Sequence, residues 1–255
     1  MQGIPVMIRT VFVYLNVVVS FLILVVLQGL AAIVDPSKDL AHGVARLWGR
    51  WILVCAGIRV TVKGLENILR GRPQVFFCNH MSYFDICCLL AHLPVQYRWL
   101  AKEELFHIPL FGAAMRLGGY IPIDRSNARK AHRSMLAAAE RIKAGTSIVI
   151  FPEGTRSSNR YLQAFKSGGA VLAIKAKAPV VPLVILGTER ILPRGTLRVG
   201  KGPVEILVGD PIFTEGLSMR DKRTLLDRVR QAMLAMSDGA RPEFGGEVRQ
   251  GGWRR

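Results

Sequence analysis

Residues 75–85 read Val-Phe-Phe-Cys-Asn-His-Met-Ser-Tyr-Phe-Asp, and this stretch decides the fold class of the chain. The apolar run Val75 to Cys78 is typical of a strand buried on both faces of a sheet. A polar cluster, residues 79–85, follows where that strand would end. Ligands of open α/β sheets gather beyond the carboxyl ends of strands. The stretch therefore predicts an α/β domain with a functional site at the edge of its sheet.

The same pattern of an apolar strand followed by a polar cluster recurs further along the chain. Ser147 to Phe151 predicts a strand, and the cluster Pro152 to Ser157 follows it. Further strands are expected at Arg59 to Val62, Val180 to Leu186 and Val204 to Val208, and a helix at Ala128 to Lys143 with Gly145 as its stop. A C-terminal helix would carry Leu225, Leu226, Val229, Met233 and Met236 on one face. Alternating strands and helices favour an α/β domain.

Upstream of these strands, the N-terminal segment has the composition of a membrane anchor. Val11 to Val34 contains no charge and only three polar residues, Asn16, Ser20 and Gln28. At about 1.5 Å per residue, a helix of this length could cross a hydrocarbon core of about 30 Å. Leu40 to Ile58 carries arginines and tryptophans that suit an interfacial helix. One spanning helix and a hairpin in one leaflet both remain open, and Lys38, Arg46 and Arg50 favour a cytoplasmic catalytic domain at the inner (plasma) membrane.

The overall composition agrees with a membrane-associated protein. Of its 255 residues, 50% are hydrophobic, the mean hydropathy is +0.28 and the formal net charge is +17. Such a charge indicates an anionic partner such as lipid headgroups, nucleic acid or an acidic carrier protein. We expect membrane-anchoring helices at 1–58, a catalytic domain at 59–236, and a disordered basic tail at 237–255 that is rich in Gly and Arg.

His80 and Asp85 have the residue types of a base and its orienting carboxylate. A histidine at a strand end can take a proton near neutral pH. A carboxylate five residues later, past a turn into a helix, can reach back to the other ring nitrogen and stabilise the imidazolium. The alternative is structural: Ser82 and Asp85 would form a capping box, and His80 would be an ordinary loop residue.

The cluster at 152–157 and nearby cations have the composition of an anion site. Gly154 would let a ligand approach the backbone, and Arg156 could bind a phosphate through two hydrogen bonds. Lys102 and Arg125 are further candidate anion ligands between the two clusters. Each feature has an ordinary alternative, namely a surface turn with a Glu153–Arg156 pair, or solvated surface charge.

Taken in order, these motifs resemble the glycerolipid acyltransferase family, in particular the 1-acyl-glycerol-3-phosphate acyltransferases. Four motifs match across roughly residues 60–210: Asn79, His80 and Asp85; then Gly119, Ile123, Asp124 and Arg125; then Phe151 to Ser157 throughout; then Val181, Pro182 and Leu183. Lys102, Glu104 and Leu105 match a further Lys-x-Glu-Leu stretch. The motifs are weak singly and specific in this order.

The resemblance implies a fold, a reaction and a set of site residues. The fold would be a mixed sheet flanked by helices, the glycerol-phosphate acyltransferase-like domain, behind a helical membrane anchor. His80 would act as general base and Asp85 would orient it, so that the acceptor hydroxyl attacks a thioester directly. The implied acceptor is lysophosphatidic acid, acylated at its sn-2 hydroxyl to phosphatidic acid. The substrate-binding residues would be Asn79, Lys102, Arg125, Glu153, Gly154, Thr155 and Arg156.

The resemblance implies no metal and no cofactor beyond the acyl donor, which is a co-substrate. Acyl carrier protein is acidic and suits the +17 charge, but coenzyme A bears phosphates and suits it too. The acceptor could instead be a lyso-amino-acid lipid or lysophosphatidylethanolamine. The expected partners are therefore membrane lipids, the lysophospholipid and the donor, without nucleic acid.

Three other interpretations fit some of these residues. Cys78 could be a nucleophile, but a thiol in an apolar strand is more often inert. A zinc site at His80, Asp85, Cys87 and Cys88 would lack a standard ligand spacing. A non-catalytic basic membrane-binding or nucleic-acid-binding module would account for the charge, although no nucleic-acid-binding signature is present.

Overall fold

A computed structural model describes residues 3–157 and 161–238 of the chain. The helices are α1 Gly3–Val34, α2 Asp39–Cys55, α3 Phe84–His92, α4 Phe111–Leu117, α5 Ala128–Lys143, α6 Gly168–Ala176, α7 Thr188–Ile191 and α8 Lys222–Asp238. The strands are β1 Val60–Lys63, β2 Val75–Cys78, β3 Tyr97–Lys102, β4 Ile121–Ile123, β5 Ser147–Ile150, β6 Val180–Leu186 and β7 Val204–Val208.

The strands form one mixed sheet in the order β1-β7-β6-β2-β5-β3-β4. Neighbouring strands pair in parallel, apart from β7, which is antiparallel to β6. The mixed sheet flanked by helices is therefore confirmed. The carboxyl ends of β2, β3, β4, β5 and β6 all lie at one edge of the sheet, which is where the polar motifs follow them.

Strand β2 is central and buried on both faces, which explains its uninterrupted apolar run. Phe76 packs into the core under the N-terminal helices and α3, while Val75 and Phe77 pack into the core under α5, α6 and α8. All three side chains have 0% exposure. Helices therefore cover both faces of the sheet.

The predicted elements agree closely with the structure, but strands β3 and β4 and helices α4, α6 and α7 were not predicted. Strands β2, β6 and β7 and helix α5 have the predicted bounds, and β1 and β5 differ by a residue at their ends. Strand β3 was not predicted because charged residues interrupt it, although Arg98 is buried against Asp39 at 2.6 Å. Strand β4 was not predicted because it contains Pro122, which is tolerated since β4 lies at the edge of the sheet.

Helices α1 and α2 form an antiparallel hairpin, and the polar residues of the apolar run lie along its seam. Gln28 Nε2 donates to the Ala41 carbonyl at 3.1 Å, and Ser20 Oγ accepts from Trp48 Nε1 at 2.9 Å. Asn16 Oδ1 lies 3.5 Å from Cys55 Sγ. Apolar side chains such as Val11, Leu22 and Val26 are exposed on the opposite side of α1.

Helix α2 also packs on α3, where two of its arginines contact main-chain carbonyls. Arg46 Nη2 donates to the Leu93 carbonyl at 2.7 Å, and Arg50 Nε donates to the Ala91 carbonyl at 3.2 Å. These cations stabilise the C-terminal end of α3, where helix carbonyls lack partners. These two arginines therefore bind protein carbonyls, and the interfacial helix expected at residues 40–58 stays a prediction.

The domain boundaries stay predictions, and the predicted C-terminal boundary falls within helix α8. Helix α8 continues to Asp238, two residues beyond the boundary expected after 236. Three of its predicted apolar residues, Leu225, Val229 and Met233, have 0% exposure. The predicted basic tail lies, from residue 239 onward, outside the described residues.

Replacing Gly49 by Ala should loosen the contact between α2 and α3. An added Cβ would lie 2.8 Å from Leu90 Cβ and 3.1 Å from the Cys87 carbonyl oxygen. We expect Gly49→Ala to lower the free energy of unfolding by roughly 1–3 kcal/mol, the usual cost of overpacking. Gly43→Ala on the same helix meets nothing within 4 Å and should be neutral or stabilising. The melting temperatures of both variants are measured in the same detergent. Equal melting temperatures would contradict the predicted difference in stability.

Candidate functional site

The predicted contact between His80 and Asp85 is present at the carboxyl end of β2. Nδ1 of His80 lies 2.8 Å from Oδ2 of Asp85, whose side chain has 0% exposure. The His80 side chain is 14% exposed, so a ligand can reach its ring. With Nδ1 committed to the carboxylate, Nε2 is the ring nitrogen that can accept a proton.

Asp85 also fixes the turn that leads into α3. Its Oδ2 accepts from the backbone N–H of Met81 at 2.7 Å and of Ser82 at 2.9 Å. Its Oδ1 accepts from the hydroxyl of Thr188 at 2.5 Å. One of the two bonds of the expected Ser82–Asp85 capping box is therefore present, from the Ser82 N–H to the Asp85 carboxylate, and the same carboxylate also holds the His80 ring.

Three contacts join His80 to the second polar cluster. Its backbone N–H donates to Oε1 of Glu153 at 2.8 Å, and its carbonyl accepts from the Ser157 N–H at 2.7 Å. Its ring stacks on Phe151, with 3.9 Å between ring centroids and 10° between planes. The clusters at 79–85 and 151–157 therefore form one site.

Glu153 does not have the position expected of a substrate ligand. Its side chain is buried, and its second oxygen accepts from the Gln163 N–H at 3.0 Å. Burial raises the pKa of Glu153 to about 7, although the hydrogen bonds from His80 and Gln163 oppose that shift. Glu153 was predicted to contact the substrate. In the structure it instead holds the backbone of His80, which is a positioning role.

The side chain of Asn79 likewise forms its hydrogen bonds within the protein. Its Nδ2 donates to the Ile185 carbonyl at 2.9 Å, and its Oδ1 accepts from the Ile185 N–H at 2.7 Å. Its side chain has 0% exposure. These contacts hold β2 against β6, so the structure gives Asn79 no surface on which to bind substrate as predicted.

Two cations converge on Gly154. Arg125 Nη1 donates to the Gly154 carbonyl at 2.9 Å, and Lys166 Nζ would lie 3.0 Å from a Cβ on Gly154. Gly154 has φ +76°, a conformation that favours glycine. Burial lowers the pKa of Arg125, and none of the ion pairs among the described residues involves it. A partly buried guanidinium that forms no close ion pair among the described residues is suited to bind an anionic ligand.

The remaining predicted ligands differ in their availability. Arg156 lies over the exposed Tyr83 ring, 3.8 Å from its centroid, and its carbonyl accepts from Arg194 at 2.5 Å. Thr155 is exposed. Lys102 pairs with Glu104 at 2.9 Å on the surface, so it is less available to an anion than Arg125.

Beside the site, a cavity of about 500 Å³ lies between α5, α6 and the start of α8. Its apolar wall includes Leu100, Ile123, Met135, Ile150 and Val171, and Phe151 separates it from the His80 ring. Arg125, Lys166 and Lys222 also line it. The cavity therefore suits a ligand with an apolar chain and an anionic group.

The rival chemistries gain no support from the geometry. Cys78 is fully buried, and burial raises its pKa well above the usual value. Burial also raises the pKa of Cys87 to about 12, so neither thiol is suited to be a nucleophile. Within residues 3–157 and 161–238, no group of three His, Cys, Asp or Glu residues is arranged to hold a metal ion.

Two residues of the site were not predicted from sequence. Thr188 lies 103 positions after the Asp85 that it contacts, and no local pattern connects them. Lys166 stands outside the four motifs, although the backbone bond from its N–H to the Pro152 carbonyl at 2.9 Å places it beside them. For both residues, the only available signal would have been the packing of distant segments.

Comparison with known proteins assigns the family. The acyltransferase family model matches residues 59–186, half of the chain. The chain therefore belongs to the acyltransferase family, as its motifs predicted.

Among its relatives, a chloroplastic 1-acyl-sn-glycerol-3-phosphate acyltransferase of Brassica napus is 35% identical over 68% of this chain and 50% of the relative. The alpha form of Homo sapiens with the same enzyme name is 34% identical over 71% of this chain and 64% of the relative. The chain thus spans about half to two thirds of these relatives' length. The crystal structure of the 1-acyl-sn-glycerophosphate (LPA) acyltransferase PlsC from Thermotoga maritima has the same fold, with a TM-score of 0.80 and 23% identity, over 94% of this chain and 99% of that one.

The buried carboxyl of Glu153 should make stability depend on pH. Because its folded pKa of about 7 exceeds the usual 4.5, its contribution is greatest below pH 4.5 and is lost as the pH rises towards 7. The melting temperature of Glu153→Gln, relative to wild type, should therefore rise across that window and then level off. Glu140→Gln, which removes an exposed carboxylate, is the control and should follow wild type. Parallel curves for Glu153→Gln and wild type would contradict the assignment.

Proposed function

We propose that this chain transfers a fatty acyl group from a thioester donor to the sn-2 hydroxyl of lysophosphatidic acid, giving phosphatidic acid in phospholipid biosynthesis. The observation that carries the proposal is the contact of His80 with the buried Asp85 at the strand edge of an acyltransferase-family domain. The names of the relatives in Brassica napus and Homo sapiens support the choice of acceptor.

In the proposed mechanism, His80 is the general base. Its Nε2 takes the proton of the acceptor hydroxyl as that oxygen attacks the thioester carbonyl carbon. The carbon–sulfur bond then breaks, and the imidazolium returns the proton to the leaving thiolate. Asp85 stabilises the imidazolium formed between these steps. No acyl-enzyme, metal or further cofactor is needed, since the acceptor supplies its own nucleophile.

The acceptor phosphate would bind where Arg125 and Lys166 meet Gly154, with Arg156 nearby. Arg125 and Lys166 both lie against Gly154, and neither is in a described ion pair. A phosphomonoester carries close to two negative charges near neutral pH, so several cations favour it over a zwitterionic headgroup. This preference separates lysophosphatidic acid from lysophosphatidylethanolamine.

The cavity behind Phe151 would hold an acyl chain, because its wall is largely apolar and Phe151, which lines it, stacks on the His80 ring. Either acyl-coenzyme A or acyl-acyl carrier protein would supply the same thioester, and the basic surface of the chain suits both. The donor is therefore proposed only as a thioester of one of these two carriers.

Membrane attachment is proposed through the hairpin of α1 and α2. Among the described helices, Val6–Val34 alone is long and apolar enough to cross a membrane, with a mean hydropathy of 2.8. Its polar seam is covered by α2, and its apolar outer side is exposed. This arrangement favours a hairpin in one leaflet of the inner (plasma) membrane, with the catalytic domain in the cytoplasm.

Substitutions of His80 and Asp85 test the mechanism. His80→Ala should lower turnover at least ~10²-fold, the usual contribution of a general base. Asp85→Asn should also lower turnover strongly, because an amide cannot stabilise the imidazolium, while its oxygen can still accept from Met81 and Ser82. Acyl transfer to lysophosphatidic acid is measured per folded enzyme. Near-normal turnover of His80→Ala would refute its role as general base. If Asp85→Asn lowered the melting temperature but not the turnover, the role of Asp85 would be purely structural.

Substitutions of the cations test the acceptor. Arg125→Ala and Arg156→Ala should raise KM for lysophosphatidic acid much more than KM for the donor. Arg156→Lys should restore only part of the loss, because lysine lacks the planar fork of arginine. Arg141→Ala removes an exposed cation at the far end of α5 and serves as the control. Should the wild type prefer lysophosphatidylethanolamine or a lyso-amino-acid lipid, the phosphate site would be wrong and the acceptor would be another lysolipid.

A further inference from the structure

Three apolar side chains are exposed at one corner of the catalytic domain, between β3 and α4. Ile108, Leu110 and Phe111 are 48%, 52% and 37% exposed. Single exposed apolar residues are ordinary, but three within four positions form a patch, which is typical of an interaction surface. We call residues 108–111 the apolar corner.

The backbone of the apolar corner is strained at Leu110. Leu110 has φ +59° and ψ −49°, outside the regions that a leucine ordinarily adopts. The chain is closely packed just after this residue: a Cβ on Gly112 would lie 2.0 Å from the Phe106 carbonyl oxygen, and the Gly112 N–H donates to the Ile108 carbonyl at 2.7 Å. Glycine would adopt this conformation with less strain, so the leucine side chain itself needs a reason.

The apolar corner lies directly against the N-terminal helix. Phe111 stacks on Phe21 of α1, with 5.9 Å between ring centroids. Lys38 Nζ, in the turn between α1 and α2, donates to the Arg116 carbonyl of α4 at 3.0 Å. Val18 and Leu22, the neighbours of Phe21 on α1, are 59% and 49% exposed. The patch is therefore continuous with the exposed side of α1.

A second loop flanks α1 nearer its N-terminus. Leu197 is 75% exposed, and the N–H of Val199 donates to Thr10 Oγ1 of α1 at 3.0 Å. Thr10 and Phe21 are eleven residues apart, roughly 16 Å along a helix. Exposed Arg194 and Arg198 accompany Leu197. Apolar contacts spread over such a length, with cations beside them, fit the broad surface of a bilayer that contains anionic lipid.

We propose that the apolar corner is a second membrane contact, which enters the same lipid leaflet as the outer side of α1. The inference rests on the proposed attachment through α1. Because β3 ends at Lys102, six residues before Ile108, this contact would hold the strand edge that bears His80 at a fixed height above the lipid. The second contact would fix the rotation of the domain about α1, which a single helix leaves free.

Spin labels at matched positions test the contact directly. Cysteine would replace Leu110 in the apolar corner, Leu22 on α1, or Phe213, which is 50% exposed near the opposite end of β6, all in a Cys55→Ser chain. On vesicles of phosphatidylcholine and phosphatidylglycerol, labels at 110 and 22 should become accessible to oxygen and protected from a water-soluble nickel chelate. The label at 213 should stay accessible to nickel.

A label at 110 that stays in water while that at 22 enters lipid would overturn the proposal. Protection at 110 that grows with protein concentration and lacks oxygen access would also overturn it, by indicating a second protein copy. If the label at 22 stays in water, the attachment through α1 fails and the proposal fails with it. None of these outcomes depends on enzymatic activity, so they are independent of the reaction proposed above.

A double variant, Ile108→Ser with Leu110→Gly, tests the consequence for the reaction. The glycine relieves the strained backbone, so the variant should keep its turnover on a soluble short-chain acceptor. Its apparent KM for acceptor embedded in vesicles should rise by about tenfold, because two apolar side chains would no longer be buried in lipid. Phe213→Ser is the control and should match wild type on both acceptors. Equal effects of the double variant on soluble and embedded acceptor would contradict the membrane contact.

Discussion

The buried carboxylate of Asp85 is the constraint on which the rest of the structure depends. It has 0% exposure and accepts four hydrogen bonds, from the His80 ring, two backbone N–H groups of the turn, and the Thr188 hydroxyl. A buried charge is tolerated only when its partners are in place. The end of β2, the start of α3 and the start of α7 must therefore keep fixed relative positions. The group that stabilises the turn is the same one that orients the proposed base.

The second cluster is tied to the first through the main chain. Glu153 holds the His80 N–H, the Ser157 N–H holds the His80 carbonyl, and Phe151 supports the ring. These contacts explain why the segment from Phe151 to Ser157 combines buried and accessible positions. Glu153 positions the base, while the accessible groups around Gly154 remain for a ligand. A sequence motif of this kind therefore contains residues with structural roles beside residues that can bind a ligand.

How much of this could be predicted from sequence depended on how local each feature is. Strand β2, helix α5 and the His80–Asp85 contact follow from patterns within sixteen residues or fewer, and each was predicted. Thr188 and Lys166 reach the site through packing of distant segments, so no local pattern indicated them. The roles of Asn79 and Glu153 were misjudged because a motif does not say whether its polar atoms face ligand or protein. The sequence likewise did not indicate that Arg46 and Arg50 donate to carbonyls at the C-terminal end of α3.

The hairpin links the proposed anchor to the site through one short helix. Helix α3 has nine residues, with Asp85 in its first turn and its last turn bound by Arg46 and Arg50 of α2. Helix α2 in turn covers Asn16, Ser20 and Gln28 of α1. If α1 separated from α2 to cross the bilayer alone, these polar groups would lose their partners in hydrocarbon, where replacements are scarce. The contacts between α1 and α2 therefore favour a hairpin that stays together, as the proposed attachment to one leaflet requires.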